Sequence, residues 1–185
     1  YSNNIIIKGE IYMEKIILIK PNLSYADEIL KYKKEFLEDE PIINGAAELD
    51  RFSTVEEWLE ELEKRSSKDT VPKGLVPSST YLGIREKDNY IIGMIDIRHC
   101  LNDFLLQAGG NIGCGVRKSE RKKSYAKQMI RLTLEKCKEL KIEKVLITCN
   151  EDNIASEKSI ISCGGKLEDI RTVDGKKYKR VWIEL

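Results

Sequence analysis

A continuous apolar run over residues 145–149 constrains the fold of this chain most, because it predicts a strand buried on both faces. A helical segment lies on each side of it. Residues 153–163 are helical and end at Gly164-Gly165, a common helix C-terminus. Residues 124–140 carry apolar side chains at helical spacing, namely Ala126, Met129, Ile130, Leu132, Leu134 and Cys137. A buried strand between two such helices predicts a sheet with helices packed against it.

The remaining elements surround this unit. Ser24 and Thr54 are predicted N-caps of two helices, which extend to about residue 39 and over residues 55–65. Alternating and β-rich runs predict strands over residues 16–20, 81–85, 90–98 and 110–117, and a final hairpin of 166–171 and 177–184 around Asp174-Gly175. The order β-α-α-β-β-β-α-β-α-β-β predicts one α/β domain with a mixed sheet.

Chain length fits a single domain, and no linker or repeat divides it. We expect residues 1–12 to be an N-terminal extension or cloning remnant, since they lack the pattern of a signal peptide and Met13 follows them. We place the domain over residues 13–185.

Composition excludes several classes of function. The formal net charge is +1, so no global field attracts nucleic acid or membrane, and no run of about twenty apolar residues predicts a membrane span. The five cysteines form no C-x-x-C pair, and with one histidine they match no familiar zinc site. We therefore expect no metal, free thiols and a cytoplasmic location.

The segment from Gly115 to Ala126 carries the strongest functional signal. A strand ends near Val116, and a helix begins near Ser124. The cations between and just beyond them are Arg117, Lys118, Arg121, Lys122, Lys123 and Lys127. A helix N-terminus presents free N–H groups and binds anions, whereas a run of charges is commonly a solvated surface. The pattern alone leaves both interpretations open.

This segment resembles motif A of the GNAT acetyltransferases, whose loop reads Arg/Gln-x-x-Gly-x-Gly/Ala. The matching residues are Arg121, Lys122, Lys123, Ser124, Tyr125 and Ala126. Gly113-Cys114-Gly115 falls where the family has a bulge that splays the fourth strand from the fifth. The run from Thr148 through Asn153 and Ser156 to Gly164-Gly165 resembles motif B. The likeness is specific over residues 111–165.

The resemblance implies a GNAT fold of about seven strands and four helices, which binds acetyl-CoA as co-substrate between the splayed strands. Backbone groups of Cys114 and Val116, beside Gly115, would pair with the pantetheine amides. The backbone amides from Lys122 to Lys127 would hold the pyrophosphate. Asn153 would hold the pantetheine arm, and Ser156 belongs to the same implied site. Ser124 and Lys122 replace glycines that are common in the family's loop, and Ser124 offers in exchange an N-cap.

The family's usual acid and base are absent from their usual positions in this chain. Its glutamate base on the fourth or fifth strand corresponds to Ile112 or Thr148, and its tyrosine acid to Ile160. We therefore name His99, at the end of the third strand and near Gly110 in a hairpin register, and Asn111 as catalytic candidates. A structural role is the alternative for each of them, and Cys149 is expected to be a buried small hydrophobe.

We expect direct transfer of an acetyl group to a primary amine of a small molecule or peptide. The acceptor site is expected between the first two helices, where an acidic group would suit a cationic amine, namely Glu38, Asp39, Glu40, Glu48 and Asp50. Arg98 could instead bind an acceptor carboxylate or pair with Asp96 or Asp103. The alternative function is a catalytically silent module that binds acyl-CoA. Binding of nucleic acid by the basic segment is disfavoured, because few aromatic residues lie among its cations. A homodimer is a possible assembly.

Overall fold

The computed structural model describes residues 6–7, 10–11 and 14–185. Strands β1 (Ile6–Ile7) and β2 (Glu10–Ile11) form a short antiparallel pair. The remainder of the predicted extension over residues 1–12 lies outside the described residues, and its separation from the domain stays a prediction. From residue 16 onward, the observed order of strands and α-helices is the predicted one.

Seven strands build two antiparallel sheets. The first has the order β3-β4-β5-β6 and the second β7-β9-β8. Their bounds are β3 Ile16–Ile19, β4 Ser78–Arg85, β5 Tyr90–Arg98, β6 Ile112–Val116, β7 Lys144–Asn150, β8 Lys166–Val173 and β9 Lys176–Glu184. The predicted α/β fold, splayed between the strands that are here β6 and β7, is confirmed. All the ladders of these seven strands are antiparallel, because β6 and β7 share none.

Four α-helices cover the sheets, namely α1 Ala26–Leu37, α2 Val55–Arg65, α3 Tyr125–Glu139 and α4 Ile154–Ile161. One core, which includes Ile29, Tyr32 and Trp58, joins α1 and α2 to the first sheet. The other lies under α3 and α4 and includes Met129 and Val181. The first sheet therefore has a core on each face, and the core under α3 and α4 also includes residues of the second sheet.

Sequence signals predicted some helix starts correctly and others wrongly. Thr54 caps α2 in a full capping box with Glu57. The Glu57 N–H donates to Thr54 Oγ1, and the Thr54 N–H donates to Glu57 Oε2. Ser24 is not the cap of α1, because it lies in a 3₁₀ turn whose cap is Asn22. Within α3, Leu132 is exposed, and Thr133 is buried in its place because its hydroxyl bonds the carbonyl of Met129.

Asn111, just before β6, hydrogen-bonds the first sheet to the second, and the two sheets also share the core under α3 and α4. The backbone N–H of Asn111 donates to the carbonyl of Leu146 on β7 at 2.7 Å, and Asn111 Oδ1 accepts from the Leu146 N–H at 2.9 Å. Its Nδ2 donates to the carbonyl of Arg98 on β5 at 3.1 Å. Gly110 permits this approach, since its φ is +66° and a Cβ would lie 2.5 Å from the Leu146 carbonyl oxygen. Asn111 thus fixes the point from which β6 and β7 diverge.

Asn111→Ala should lower the free energy of unfolding by about 2–3 kcal/mol, since it leaves a buried N–H and a buried carbonyl without partners. Denaturant unfolding measures the change. The matched control is Asn102→Ala, because the Asn102 amide oxygen also accepts one backbone N–H but is half-buried; it should cost under about 1 kcal/mol. Equal losses in the two variants contradict the role given to Asn111.

Candidate functional site

A cavity of about 520 Å³ opens where β6 diverges from β7, next to the starts of α3 and α4. It brings together every predicted cofactor-binding residue except Lys123 and Lys127. The lining residues are Phe36, Glu40, Asn44, Cys114, Gly115, Val116, Glu120, Arg121, Lys122, Ser124, Tyr125, Ala126, Ile130, Asn153, Ala155, Ser156 and Ser159.

The backbone of β6 offers free hydrogen-bonding groups to this cavity. The Arg117 N–H bonds the carbonyl of Ile92 on β5, and neighbouring residues in a strand direct their N–H and C=O groups to opposite sides. Cys114 and Val116 therefore direct theirs away from β5, into the gap. The Val116 carbonyl accepts from Arg121 Nε at 3.0 Å. A ligand with amide groups could continue the sheet along Cys114.

The glycines of β6 serve close packing. The β5–β6 ladder runs in constant register from Gly93 opposite Val116 to Ile97 opposite Ile112, so the bulge expected at Gly113-Cys114-Gly115 is absent from this ladder. A Cβ on Gly115 would lie 2.3 Å from the carbonyl oxygen of Asn44. The segment after α1 thus lies directly on β6, and glycine is required because no side chain fits between them.

The loop before α3 has an uncommon backbone conformation. Lys122 and Ser124 each have φ of +63°, in the left-handed region that glycine adopts without steric cost. These are the two positions at which the family's loop commonly has glycine. The Ser124 side chain makes no capping hydrogen bond, so the expectation that it would cap α3 is wrong. Its left-handed backbone directs the chain into the helix, which leaves the first N–H groups of α3 facing the cavity rim.

Most cations of this loop are already neutralised. Arg117 is buried between the rings of Tyr32 and Tyr90 and lies 3.4 Å from Glu35. Three others form ion pairs: Lys118 with Asp39, Arg121 with Glu40 and Lys123 with Glu120. Within residues 14–185, Lys122 and Lys127 have no acidic partner. Of the six predicted cations, these two are free to bind an anion.

Asn153 has two roles available to its side chain. Its Oδ1 accepts from the Ser156 N–H at 3.0 Å and so caps α4. Its Nδ2 is free of hydrogen bonds to the described residues, and Asn153 lines the cavity. The amide can therefore hold the helix start with one atom and donate to a ligand with the other.

The predicted catalytic residues lie outside the cavity lining. His99 shares a 2.8 Å hydrogen bond with Ser79 Oγ, and burial lowers the pKa of His99, although Asp96 opposes this shift. The side chain of Asn111 is occupied by backbone groups on both of its polar atoms. These contacts give both residues structural roles, and their catalytic roles stay predictions.

The positions of the family's acid and base hold no proton-transfer group. Ile112 and Ile160 are buried, and Thr148 Oγ1 donates to the carbonyl of Ala108 at 2.8 Å. Two thiols lie near, but burial raises the pKa of Cys149 and raises that of Cys114 to about 12. Both thiols are therefore protonated at neutral pH. All five cysteines are free, as predicted.

The acidic groups expected to bind a cationic amine are largely occupied. Asp39 and Glu40 pair with the basic loop, as described above. Glu48 pairs with Arg65 at 2.6 Å, and Asp50 accepts from the Ile43 N–H at 3.3 Å. Only Glu38 of this group makes no ion pair or hydrogen bond to the described residues, and it is exposed.

A model of the acetyltransferase (GNAT) domain matches residues 19–166, which is most of the chain. The chain belongs to the GNAT acetyltransferase family. The predicted resemblance and enzyme class are thereby confirmed. A search of curated proteins gave no match. Among the described residues, none of the helices combines the length and apolar character that crossing a membrane requires.

Solved structures of GNAT proteins share the fold. The Salmonella typhimurium acetyl transferase that modifies the N-terminal serine of a 50S ribosomal subunit protein is 14% identical, with a TM-score of 0.62 over 92% of this chain and 95% of that chain. Spermidine N-acetyltransferase from Vibrio cholerae, in complex with CoA and spermine, is 14% identical, with a TM-score of 0.60 over 91% and 95%. A microcin C7 self-immunity acetyltransferase, in complex with acetyl-CoA and AMP, is 15% identical, with a TM-score of 0.62 over 93% of each chain.

Several lining residues were not predicted from the sequence. Ile130 and Ser159 could have been found, since they lie one helical turn after Ala126 and Ser156. Phe36 and Asn44 carry no such signal. They reach the cavity because α1 and its following segment pack across β6, which only the tertiary structure shows.

Ser124→Gly should raise the free energy of unfolding by up to about 1 kcal/mol, because it relieves the left-handed backbone of a residue with a Cβ. Ser124→Ala is the control: it keeps the Cβ and removes a hydroxyl that makes no capping bond, so stability should change by under about 0.5 kcal/mol. Thermal or denaturant unfolding measures both. A loss of stability in the glycine variant contradicts the account of this loop.

Proposed function

We propose that this protein is an acetyl-CoA-dependent N-acetyltransferase that transfers an acetyl group to a primary amine within a ternary complex. One observation carries the proposal: the cavity joins an open strand edge to a helix N-terminus. The edge at Cys114 offers amide partners for pantetheine, and the start of α3 beside Lys122 offers N–H groups and positive charge for a pyrophosphate. The neighbours bound to CoA or acetyl-CoA support this choice of co-substrate.

The direction of the cofactor follows from this arrangement. The phosphate end lies at the C-terminal end of β6, so the pantetheine arm would extend back along β6 past Cys114. The Nδ2 of Asn153 would donate to that arm from the α4 side. The acyl group would then lie near Gly113, close to the point at which Asn111 joins the two sheets.

The transfer forms one bond and breaks another. The acceptor nitrogen attacks the thioester carbonyl carbon, the carbon–sulfur bond breaks, and the thiolate takes up a proton while the new amide nitrogen loses one. The backbone N–H of Cys114, which faces the gap beside that acyl position, is the proposed donor to the carbonyl oxygen, since an N–H near Val116 would lie at the phosphate end. Since Ile112, Thr148 and Ile160 supply no acid or base, positioning of the two substrates would provide much of the rate. His99 stays our candidate for the base, and Asn111 our candidate for holding the substrate or a water.

The absence of an acid and a base at these three positions also favours the alternative, a silent acyl-CoA-binding module. Measurement of thiol release from acetyl-CoA separates the two functions, with polyamines, amino acids, aminoglycosides and peptides as acceptors. Acceptor-dependent thiol release supports the transferase. Saturable CoA binding without release by any acceptor supports the binding module. A nucleic-acid surface is disfavoured, because four of the six loop cations have acidic partners.

Asn153→Ser should weaken CoA binding about five- to tenfold, because serine keeps a cap for α4 but removes the amide that would contact pantetheine. Isothermal titration with CoA measures the affinity, and thermal unfolding should show a nearly unchanged midpoint. Asn150→Ser is the control, since Asn150 lies outside the cavity lining. An unchanged affinity for CoA removes Asn153 from the proposed site.

Glu40 competes with the phosphates of CoA for Arg121. Its carboxylate lies 2.6 Å from Arg121 Nη2, lines the same cavity and is one-third exposed. A carboxylate bound to this guanidinium occupies the hydrogen bonds that a phosphate could take. CoA must therefore either displace Glu40 or bind without the full charge of Arg121.

Glu40→Gln should tighten CoA binding several-fold, because it frees Arg121 and removes one negative charge beside the phosphates. The control is Glu38→Gln, which removes an exposed carboxylate that makes no ion pair to the described residues. The increase in CoA affinity over the wild-type protein should become smaller as the salt concentration is raised, since salt screens exposed charges. Weaker binding in Glu40→Gln would show that the ion pair holds the loop in its binding conformation.

A further inference from the structure

Arg98 is the last residue of β5, and its guanidinium lies over Gly113 of β6, one residue before Cys114, where the cavity lining begins on that strand. Its Nε is 3.3 Å from Asp96 Oδ2, and its Nη1 donates to the carbonyl of Gly109 at 3.1 Å. Asp96 is buried and accepts a 2.8 Å hydrogen bond from Thr80 Oγ1. Because its carboxylate partner cannot swing away, the guanidinium is held on two of its three nitrogens.

The third nitrogen of Arg98 is free. Within residues 14–185, Nη2 has no acceptor, and the side chain is 26% exposed. Nη2 lies 3.2 Å from the position that a Cβ on Gly113 would take. Glycine at this position therefore lets the guanidinium pack directly on β6, with Nη2 beside the backbone of that strand.

Gly113 directly precedes Cys114, whose N–H and C=O groups face the cavity. Neighbouring residues of a strand are about 3.3 Å apart, so Nη2 is close to the end of the predicted pantetheine path. A rigid guanidinium with one free edge is a preorganised receptor for a carboxylate. The acidic group that was expected to bind a cationic amine offers no matching receptor, because each of its members except the exposed Glu38 is already bonded.

We propose that Arg98 binds a carboxylate of the acceptor, so that the substrate is an amine that also carries a carboxylate, as a free amino acid or an acidic peptide does, and is not a polyamine. This inference rests on the proposed acetyl transfer. In an α-amino acid the amine is two bonds from the carboxylate carbon. A carboxylate on Nη2 therefore places the amine near the thioester, and Arg98 determines which amines are accepted.

The test compares matched acceptors on the full chain. Thiol release from acetyl-CoA is measured with free amino acids, with the same amino acids as carboxamides, with amidated peptides whose second residue is aspartate or alanine, and with spermidine. We expect kcat/KM to be at least tenfold higher for one carboxylate acceptor than for its uncharged counterpart, and lowest for spermidine. The amino-acid and peptide pairs distinguish the two sources of the carboxylate.

Arg98→Lys keeps the charge beside Asp96 and removes the planar fork, so it should fold and lose most of this preference through a higher KM for the carboxylate acceptor. Its rates with uncharged acceptors should fall much less than its rates with the carboxylate acceptors, and its affinity for CoA should be unchanged. Arg51→Lys is the matched control, because Arg51 is exposed and its one ion pair to the described residues is with Glu48. Equal rates with acid and amide, a preference for spermidine, or an unchanged preference in Arg98→Lys overturns the inference.

Binding provides a readout that does not need turnover. Calorimetry of the CoA-bound protein with the amino acid and with its carboxamide should show an affinity for the acid that Arg98→Lys loses. If this holds while no acceptor releases thiol, the carboxylate site stands and the proposed transfer fails. If CoA binds and neither the acid nor the peptide does, the inference about Arg98 fails.

Discussion

The double hydrogen bond between Asn111 and Leu146 is the constraint on which the rest of the site depends. Among the described residues the two sheets share no ladder, and this pair of bonds is made at Asn111, just before β6. Beyond that point β6 and β7 diverge, so the outward N–H and C=O groups of β6 have no strand to pair with. Such groups need a partner, and an extended amide ligand can supply it. A third bond to Arg98 links the same asparagine to β5.

Ion pairs between the end of α1 and the basic loop form a second link across the site. Three acids of one helix end, Glu35, Asp39 and Glu40, contact the loop between β6 and α3. These contacts hold the segment after α1 against β6, where only glycine fits beneath it. They also reduce the positive charge that the loop presents to a ligand. The same three acids therefore determine how the segment after α1 packs on β6 and how much positive charge the loop keeps.

Local signals in the sequence predicted local structure well. The N-cap at Thr54 and the turn at Asp174-Gly175 lie where they were expected, because each depends on a few neighbouring residues. Prediction failed where a distant element decides the outcome. Ser124 has the composition of a cap but a left-handed backbone, and the glycines of β6 accommodate Asn44 instead of forming a bulge. Leu132 fits a helical stripe yet faces solvent.

The sequence by itself determined the order of the elements, the family resemblance and the part of the cavity lining that lies between residues 114 and 156. Hydrophobic periodicity and a short motif depend only on neighbouring residues, which explains this success. The tertiary structure decided which charges are available, since Arg121 and Glu40 are 81 residues apart in sequence and meet only after folding. It likewise gave Asn111 a joining role and left one edge of Arg98 free, because hydrogen bonds across strands depend on register and not on composition.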